Sequence, residues 1–227
     1  MATVDLVEVL GRLPFASNAT LLARAADDTL WVYKPDQGER PLWDFDLGTL
    51  GSREALTYEV AAAMGIDVIP ETVITQGPYG RGSAQRYIDE DTDIDPRPLV
   101  EEGVDDRLWP FAVLDIVTNN ADRKLGHMII ERGTEQIWGI DQGLTFHPED
   151  KLRTILWGLG GRPIPPELVA GLRRLCEAMD GHLSDRIREL LGPHEAAAVA
   201  ARIDALLANP IHPQPPHDRP AIPWPMW

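Results

Sequence analysis

The acidic stretch between Asp89 and Asp106 is the feature that most constrains the fold of this chain. It contains nine acidic residues and one base, Arg97. Charge runs of this kind usually form solvated loops rather than packed elements. We therefore expect the stretch to separate two lobes, although an acidic surface can also dock a cationic partner.

Short apolar runs separated by turns dominate the residues before this stretch. The runs 21–23 and 30–33 flank a polar turn, which is typical of a hairpin. A helix is predicted over 52–65, with Ser52 as its N-cap, because apolar residues recur there at helical spacing. The run 83–88 alternates like a further strand. The first half therefore predicts a small β-rich lobe with one helix.

Helical periodicity dominates the residues after the stretch. The apolar run 107–119 predicts a buried helix, M-I-I and Q-I-W-G-I predict a second hairpin, and residues 150–208 predict amphipathic helices. Seven prolines after residue 209 predict an extended tail rather than a packed element. We therefore expect an α+β, bilobal architecture. Its parts are an N-lobe over 1–88, a linker over 89–106, a helical C-lobe over 107–209 and a Pro-rich tail over 210–227.

Charge and composition argue against several classes of partner. The net charge of −15 repels nucleic acid phosphates and anionic membrane surfaces. The chain has no run of eighteen apolar residues, so no transmembrane helix is expected, and the acidic N-terminus does not resemble a secretory signal. The single cysteine, Cys176, leaves no internal disulfide. The expectation is a cytoplasmic protein without nucleic acid or membrane insertion.

A polar turn between an apolar helix and an apolar strand carries the strongest chemical signal. The stretch N-N-A-D-R-K-L-G-H contains Asp122 and His127, and Asp141 follows the next strand, fourteen residues after His127. The hairpin brings these side chains toward one end of its strands. Phosphoryl transfer needs one carboxylate to position the attacking hydroxyl and another, with a neutral ligand, to hold a metal ion. For Asp122 alone, the alternative is a turn in which the carboxylate bonds its own backbone.

The motif N-x-D-R-x-x-x-[NH], followed by I-D-x-G, resembles the catalytic loop and metal-binding motif of the phosphatidylinositol 3/4-kinase-like superfamily. HipA-type toxin kinases and the secretory-pathway kinases are similar. Upstream, W-V-Y-K-P resembles the strand that carries the ATP-binding lysine, and R-E-A-L-T-Y-E resembles the helix that supplies its partner. The stretch K-L-R-T-x-L-W-G, from Lys151 to Gly158, is similar to a bacterial family of minimal kinase-like proteins. The resemblance covers residues 15–157.

The resemblance implies an ATP site in the N-lobe. Lys34 would hold the α- and β-phosphates, and Glu54 would orient it through an ion pair, with Glu59 as the alternative partner. The segment containing Ser17 and Asn18 would take the place of a glycine-rich phosphate loop. The hinge over adenine would comprise Gln85, Tyr87 and Ile88.

The resemblance also implies catalytic roles in the C-lobe. Asp122 would orient the nucleophile, because the ordinary pKa of an aspartate is too low for outright deprotonation of a hydroxyl. Asp141 would bind Mg²⁺ or Mn²⁺ together with His127, which replaces the usual Asn and favours Mn²⁺. Arg123 and Asn120 would shape the loop or contact phosphate.

The expected function is an ATP- and metal-dependent atypical kinase that phosphorylates Ser/Thr hydroxyls of proteins, including its own. A small-molecule hydroxyl is an alternative acceptor, and a lipid is less favoured because no basic or amphipathic membrane patch is present. A nucleotide-binding pseudokinase is the alternative from another class. The absence of glycine from residues 16–20 and the presence of His127 favour that reading.

Overall fold

A five-stranded antiparallel sheet forms the first lobe in the computed structural model, which describes residues 4–13, 19–101 and 104–226. The strands lie in the order β1-β2-β3-β5-β4. Their bounds are β1 (Leu6–Arg12), β2 (Leu21–Ala25), β3 (Leu30–Pro35), β4 (Thr72–Gly77) and β5 (Gly80–Arg86). The predicted hairpin corresponds to the β2–β3 pair, in which Leu21 lies opposite Tyr33.

Alternation along β3 sends its side chains to opposite faces of the sheet. Trp31 and Tyr33 are buried in an apolar cluster on one face, whereas Lys34 lies on the other. In the pairing of β3 with β5, Lys34 lies opposite Ser83. Both side chains contact helix α1 (Leu50–Met64). The sheet therefore presents the lysine to the helix that packs on that face.

Helix α1 begins two residues earlier than predicted. Thr49 is the N-cap residue, and Ser52 lies inside the first turn, so the assignment of Ser52 as N-cap is wrong. The carboxylate of Glu39 instead accepts hydrogen bonds from three backbone amides at this end, at 2.6–3.4 Å. An acid at a helix N-terminus satisfies free amides and interacts favourably with the helix dipole. A side chain distant in sequence thus caps the helix, which ends at Gly65 as predicted.

The second lobe is mostly helical. It contains α2 (Pro98–Glu101), α3 (Trp109–Thr118), α4 (Pro166–Met179), α5 (His182–Leu190), α6 (Pro193–Ala208) and a hairpin of β6 (Met128–Ile130) and β7 (Ile137–Gly139). Helix α3 is buried almost throughout, because it runs through the largest apolar cluster among the described residues. The helix predicted over 107–119 is therefore present, preceded by the short 3-10 turn Asp106–Leu108.

The acidic stretch forms a solvated loop only in part. Leu99 on α2 and Val104 are buried in the core of the second lobe. The amide of Asp91 donates to the carbonyl of Ile130 at 2.8 Å, and Arg132 pairs with the Asp91 carboxylate at 3.2 Å. The linker is therefore attached to the second lobe, while several of its acids stay exposed.

Two expectations for the C-terminal third are wrong. Residues 150–165 all belong to the described part of the chain, and their only helical element is the short turn Trp157–Leu159; the long helices begin at Pro166. The Pro-rich tail is packed rather than free, since His212 is 1% exposed and Arg219 pairs with Asp150 at 2.7 Å. Prolines lack an amide donor but keep a carbonyl acceptor. Such a segment can therefore pack by accepting hydrogen bonds from its neighbours.

The α+β, two-lobed architecture predicted from the sequence is confirmed: an antiparallel sheet with one helix precedes a mainly helical lobe. None of the described helices combines the length and the apolar character that crossing a bilayer requires.

Gly82 allows β5 to lie close to β3 behind Lys34. A Cβ atom at this position would collide with the carbonyl oxygen of Lys34 and the Cα of Pro35. We expect Gly82→Ala to lower the free energy of unfolding by about 1–3 kcal/mol, because the strands must shift. Urea denaturation measures the change. Gly11→Ala is the matched control, since a Cβ on that strand residue meets nothing within 4 Å; equal destabilisation of both variants would contradict this explanation.

Candidate active site

Lys34, near the end of β3, is held by a carboxylate from α1. Its Nζ lies 2.5 Å from Oε1 of Glu54, and Oε2 of Glu54 accepts a hydrogen bond from Ser83 at 2.8 Å. Glu54 is only 3% exposed. Glu59, the alternative partner, pairs with Arg186 at 3.6 Å instead. The structure therefore brings Lys34 together with Glu54 and not with Glu59.

Asp141 brings the second lobe to the same lysine. It follows β7 closely, and its Oδ1 lies 3.1 Å from Nζ of Lys34. Its φ of 59° lies in the left-handed region, which non-glycine residues adopt at an energetic cost and often at functional sites. The side chain of Asp141 is 49% exposed, so the ion pair remains accessible from solvent.

The neighbouring charges determine the ionisation of Lys34 and Asp141. Burial alone would lower the pKa of Lys34, but the carboxylates of Asp141 and Glu54 outweigh it and raise the pKa above its ordinary value. The charge of Lys34 in turn lowers the pKa of Asp141, against the effect of burial. Lys34 is therefore a cation and Asp141 an anion at neutral pH. These are the states that bind phosphate and a divalent cation.

His127 lies beside Asp141 in the 3-10 turn Leu125–His127. Its Nε2 is 3.4 Å from Oδ2 of Asp141, and its buried Nδ1 has no hydrogen-bond partner. Burial lowers the pKa of His127 to about 4, so the ring is neutral at pH 7. A neutral imidazole next to a carboxylate fits a divalent cation.

The described residues contain no group of three or more His, Cys, Asp and Glu side chains that could hold a metal ion. A metal bound by Asp141 and His127 would therefore need further ligands from phosphate oxygens or water. Mg²⁺ sites in phosphate-transferring enzymes are commonly completed in this way.

Asp122 pairs with Lys124 in the loop before this turn. Oδ2 of Asp122 lies 2.9 Å from Nζ of Lys124, and the two side chains are 22% and 17% exposed. Burial raises the pKa of Asp122, Lys124 opposes that rise, and Asp141 adds to it. The carboxylates of Asp122 and Asp141 therefore lie within electrostatic range of each other. Lys124 is a site residue that the sequence analysis did not assign, although it is one of only three lysines in the chain.

A buried ion pair supports the loop that carries Asp122. Arg123 donates to both oxygens of Asp115 at 2.8–3.1 Å and to Gln142 at 2.9 Å, and Arg123 and Asp115 are 0% exposed. Asn120 also donates to Asp115 and Gln142, at 2.9 and 3.2 Å. Arg123 and Asn120 thus point into the lobe, where they hold the loop.

Sequence reasoning missed Asp115 and Gln142. Asp115 interrupts the apolar helix F-A-V-L-D-I-V. A lone acid in such a run needs a partner when the helix is buried, and this is the signal that identifies it. Gln142 carries no comparable signal in the sequence, because its side chain contacts the Arg123 guanidinium only in the folded chain.

The expected hinge begins at the end of β5. The side chain of Gln85 donates to Thr72 at 2.9 Å, so it is engaged within the sheet. The amide of Tyr87 donates to the carbonyl of Leu30 at 2.9 Å. The polar groups of these two residues are thus used, at least in part, to continue the sheet toward the second lobe.

Ile88 belongs to an apolar cluster between the hinge and the hairpin of the second lobe. Ile129 and Trp138 are buried with it. Ile140, which directly precedes Asp141 in the chain, packs against them.

Ser17 and Asn18, expected at the phosphates, lie outside the described residues. Two surface cavities, of about 390 and 460 Å³, are lined by residues other than those of the candidate site.

Comparison with solved structures shows a kinase-like fold, whereas no family model matches the chain. The Helicobacter pylori proinflammatory kinase CtkA has a TM-score of 0.59 and 13% identity, covering 92% of this chain and 95% of CtkA. The Golgi casein kinase with Mn/ADP bound has a TM-score of 0.58 and 12% identity, covering 90% and 72% of the two chains. At these identities the likeness establishes the fold alone.

A relative known by sequence covers nearly the whole chain. Protein Rv2133c of Mycobacterium tuberculosis is 36% identical over an alignment 255 positions long, gaps included, which spans 96% of this chain and 91% of that protein. The chain therefore belongs to the same protein family as protein Rv2133c.

Proposed function

We propose that this protein is an ATP-dependent phosphotransferase of the atypical kinase type, which transfers the γ-phosphate to a hydroxyl group. The observation that carries the proposal is the meeting of Glu54 and Asp141 at the ammonium of Lys34, at 2.5 and 3.1 Å. The three residues come from α1, the segment after β7, and β3. The fold shared with CtkA and with a casein kinase whose structure contains Mn and ADP supports the proposal.

In this proposal Lys34 binds phosphate oxygens of the triphosphate directly, and Asp141 binds it through a metal ion. Asp141 and His127 would hold Mg²⁺ or Mn²⁺, which would neutralise phosphate charge. Lys34 would contact oxygens of the α- and β-phosphates in place of Asp141, while Glu54 would keep the ammonium in position. The imidazole nitrogen of His127 favours Mn²⁺ over Mg²⁺.

Asp122 positions the acceptor hydroxyl. As the hydroxyl oxygen bonds to the γ-phosphorus, the bond from that phosphorus to the bridging β-phosphate oxygen breaks and ADP leaves; the hydroxyl proton passes to Asp122 only as this transfer proceeds. In the structure its carboxylate pairs with Lys124 at 2.9 Å. The negative charge of a γ-phosphate bound near Asp122 would attract Lys124 and leave the Asp122 carboxylate available to the hydroxyl. Lys124 therefore adds a positive charge to the transfer step.

Arg123 acts through the loop and not by contact with phosphate. Its guanidinium is engaged by Asp115 and Gln142, and these bonds place the neighbouring Asp122. We therefore propose Arg123 as a positioning residue. Rigid support of this kind matters because small displacements of reacting groups cost large factors in rate.

The adenine site and the lobe boundaries belong to the same proposal. The adenine edge binds at the hinge formed by Gln85, Tyr87 and Ile88, through backbone groups other than the Tyr87 amide, which donates to Leu30. Ser17 and Asn18 supply donors to phosphate. The apolar cluster around Ile88 offers a surface of the kind that nucleotide bases pack on. The proposed parts are an N-lobe over 1–88, a linker over 89–106, a C-lobe over 107–209 and a tail over 210–227.

The proposed acceptors are serine and threonine hydroxyls of proteins, including the chain's own. The casein kinase similar in fold supports a protein acceptor, and the net charge of −15 disfavours nucleic acid. A cytoplasmic location is part of the proposal. So is membership of the phosphatidylinositol 3/4-kinase-like superfamily with the HipA-type kinases, which rests on the D-R-x-x-x-H and I-D-x-G motifs.

A nucleotide-binding pseudokinase is the second candidate function. His127 favours this candidate. The superfamily that the motif resembles usually has Asn at this position, and the buried Nδ1 of His127 lacks a hydrogen-bond partner. Binding of ATP without transfer would then be the function, and Lys34 and Asp141 would keep their roles. Small-molecule and, with less support, lipid hydroxyls are the other acceptors to test.

Phosphate transfer separates these candidates. We expect label from γ-labelled ATP with Mn²⁺ to appear on the protein or on added casein, and Asp122→Asn to reduce it by about 100-fold or more, because the hydroxyl is no longer positioned. Asp204→Asn, on the exposed face of α6, is the matched control. Equal labelling by Asp122→Asn and the parent contradicts the role of Asp122, and label from the α-phosphate would indicate nucleotidyl transfer.

Nucleotide affinity tests the two lobes separately. We expect Lys34→Ala to weaken Mn-ATP binding by about tenfold or more, since a phosphate-facing cation is lost, and Asp141→Ala to remove the metal dependence of binding. Titration calorimetry measures both. Arg24→Ala, which removes a cation paired at the surface of β2 with Glu8, is the control. If both site variants bind ATP as the parent does, the assignments are wrong.

The buried pair predicts a stability change. Asp115→Asn leaves the guanidinium of Arg123 buried without its charge partner, so we expect a loss of about 3–5 kcal/mol in the free energy of unfolding. Urea denaturation measures it. Asp185→Asn, in an exposed pair with Arg188, should change stability little. Positioning by Arg123 further predicts that kcat falls in Asp115→Asn while the Kd for ATP stays unchanged; the reverse pattern counts against it.

A further inference from the structure

The C-terminal segment, residues 210–226, packs against the second lobe, where it contacts residues that precede α4 in the chain. His212 anchors its beginning, buried between the rings of Trp109 and Trp157 at centroid distances of 6.1 and 5.8 Å. The backbone of His212 accepts from Gly161 at 2.9 Å and donates to Arg162 at 3.0 Å. The first part of the segment is thus fixed to the loop before α4.

The middle of the segment is fixed to residues 150–157. Arg219 pairs with Asp150 at 2.7 Å and donates to the carbonyl of Leu152 at 2.7 Å. The carbonyl of Ala221 accepts from the amide of Thr154 at 3.1 Å and from the indole of Trp157 at 2.7 Å. Apart from Asp150, which directly precedes it, the contacted residues belong to the stretch K-L-R-T-I-L-W, which the sequence analysis singled out and the proposed function does not use.

The end of the segment reaches the loop over residues 120–127, which carries Asp122 and His127 and is called the site loop below. The carbonyl of Met226 accepts a hydrogen bond from the amide of Leu125 at 3.0 Å. Leu125 begins the 3-10 turn that ends at His127 and lies three residues after Asp122. The segment therefore contacts the site loop directly.

The same loop is also held through residues 153–155. The amide of Arg123 donates to the carbonyl of Arg153 at 3.1 Å, and the amide of Ile155 donates to the carbonyl of Arg123 at 3.3 Å. Thr154, between them, donates its own amide to the tail. The tail, residues 153–155 and the site loop thus form three consecutive layers joined by backbone hydrogen bonds.

Residues 150–157 and Leu125 line the surface that the tail covers, which we call the groove. The groove presents hydrogen-bond donors that another backbone must satisfy. Without the tail, the amides of Thr154 and Leu125 and the indole of Trp157 would lose the acceptors they have in the structure. Unpaired donors shielded from water are costly, and extended peptides commonly satisfy them by adding to an exposed backbone edge. Proline-rich sequence suits this role, since it is extended before it binds.

We propose that the groove formed by residues 150–157 and Leu125 is a peptide-binding site whose occupant is the chain's own segment 217–226, and that occupancy positions the site loop. The effect on catalysis rests on the proposed function, whereas the binding of the segment does not. Arg219 and the carbonyls of Ala221 and Met226 are the groups that make the attachment.

Amide hydrogen exchange in the full chain tests the attachment. We expect Arg219→Ala to accelerate exchange at Leu125 and Thr154 by about tenfold or more, because the segment then opens more often. Arg188→Ala removes an exposed Arg–Asp pair of the same kind on α5 and should leave both amides unchanged. Equal exchange in Arg219→Ala and the parent would overturn the proposal.

A peptide in trans tests the groove itself. A chain that ends at Pro216 should bind a fluorescent peptide of residues 217–226 and regain slow exchange at Leu125, whereas the full chain, with its groove filled, should not bind it. A scrambled peptide is the control. Failure to bind, in a shortened chain that keeps a cooperative thermal transition, overturns the proposal; if that transition is lost, Arg219→Ala in the full chain decides.

Turnover tests the positioning role. We expect kcat for γ-phosphate transfer to fall by about tenfold or more in Arg219→Ala, with the Kd for Mn-ATP unchanged, because the loop is displaced while Lys34 is not. Faster exchange with unchanged kcat would refute positioning. No transfer by the parent chain would count against the proposed function instead, and the exchange and peptide results still decide the attachment.

Discussion

The ion pairs around the Lys34 ammonium connect the two lobes, and the candidate site depends on them. Glu54 reaches it from α1 and Asp141 from the segment after β7. A partly buried cation keeps its charge only where carboxylates compensate for lost water. Because Asp141 is half exposed and Glu54 is not, the two carboxylates are not equivalent. This difference supports the proposed roles, in which Glu54 holds the lysine and Asp141 exchanges the lysine for a metal ion.

The balance of charge explains why such a site would need a divalent cation. Three carboxylates, Glu54, Asp122 and Asp141, face two lysines, Lys34 and Lys124, in a protein of net charge −15. A triphosphate adds further negative charge to this arrangement. Metal ions held at Asp141 and His127 would reverse the local sign, as they do in phosphate-transferring sites generally. The Asp115–Arg123 pair contributes no charge to this balance, since it is neutral as a pair and buried behind the loop.

Support for the site loop comes from residues that are far apart in the chain. Asp115 on α3 holds Arg123, Gln142 joins both, and residues 153–155 bond the loop from the other side. The C-terminal segment adds a further layer through Met226. The tail is attached by the backbone carbonyls of Ala221 and Met226 and by the side chains of His212 and Arg219, whose partners all lie far away in the chain. This explains why composition predicts a free tail, and why the packed tail is visible only in the fold.

Resemblance of a motif to a known superfamily singled out Lys34, whereas local pattern in the sequence indicated most of the strands and helices, the two-lobed class, and the turn and strand end that carry Asp122, His127 and Asp141. Periodicity and turn chemistry act over a few residues, and these features depend on nothing more distant. Tertiary structure alone decided between Glu54 and Glu59, turned Arg123 inward to Asp115, paired Lys124 with Asp122, and made Glu39 rather than Ser52 the cap of α1. Each of these outcomes depends on which groups meet across long separations in the chain. Local sequence cannot specify such meetings, because the free energy of a polar contact is set by the burial and geometry of both partners.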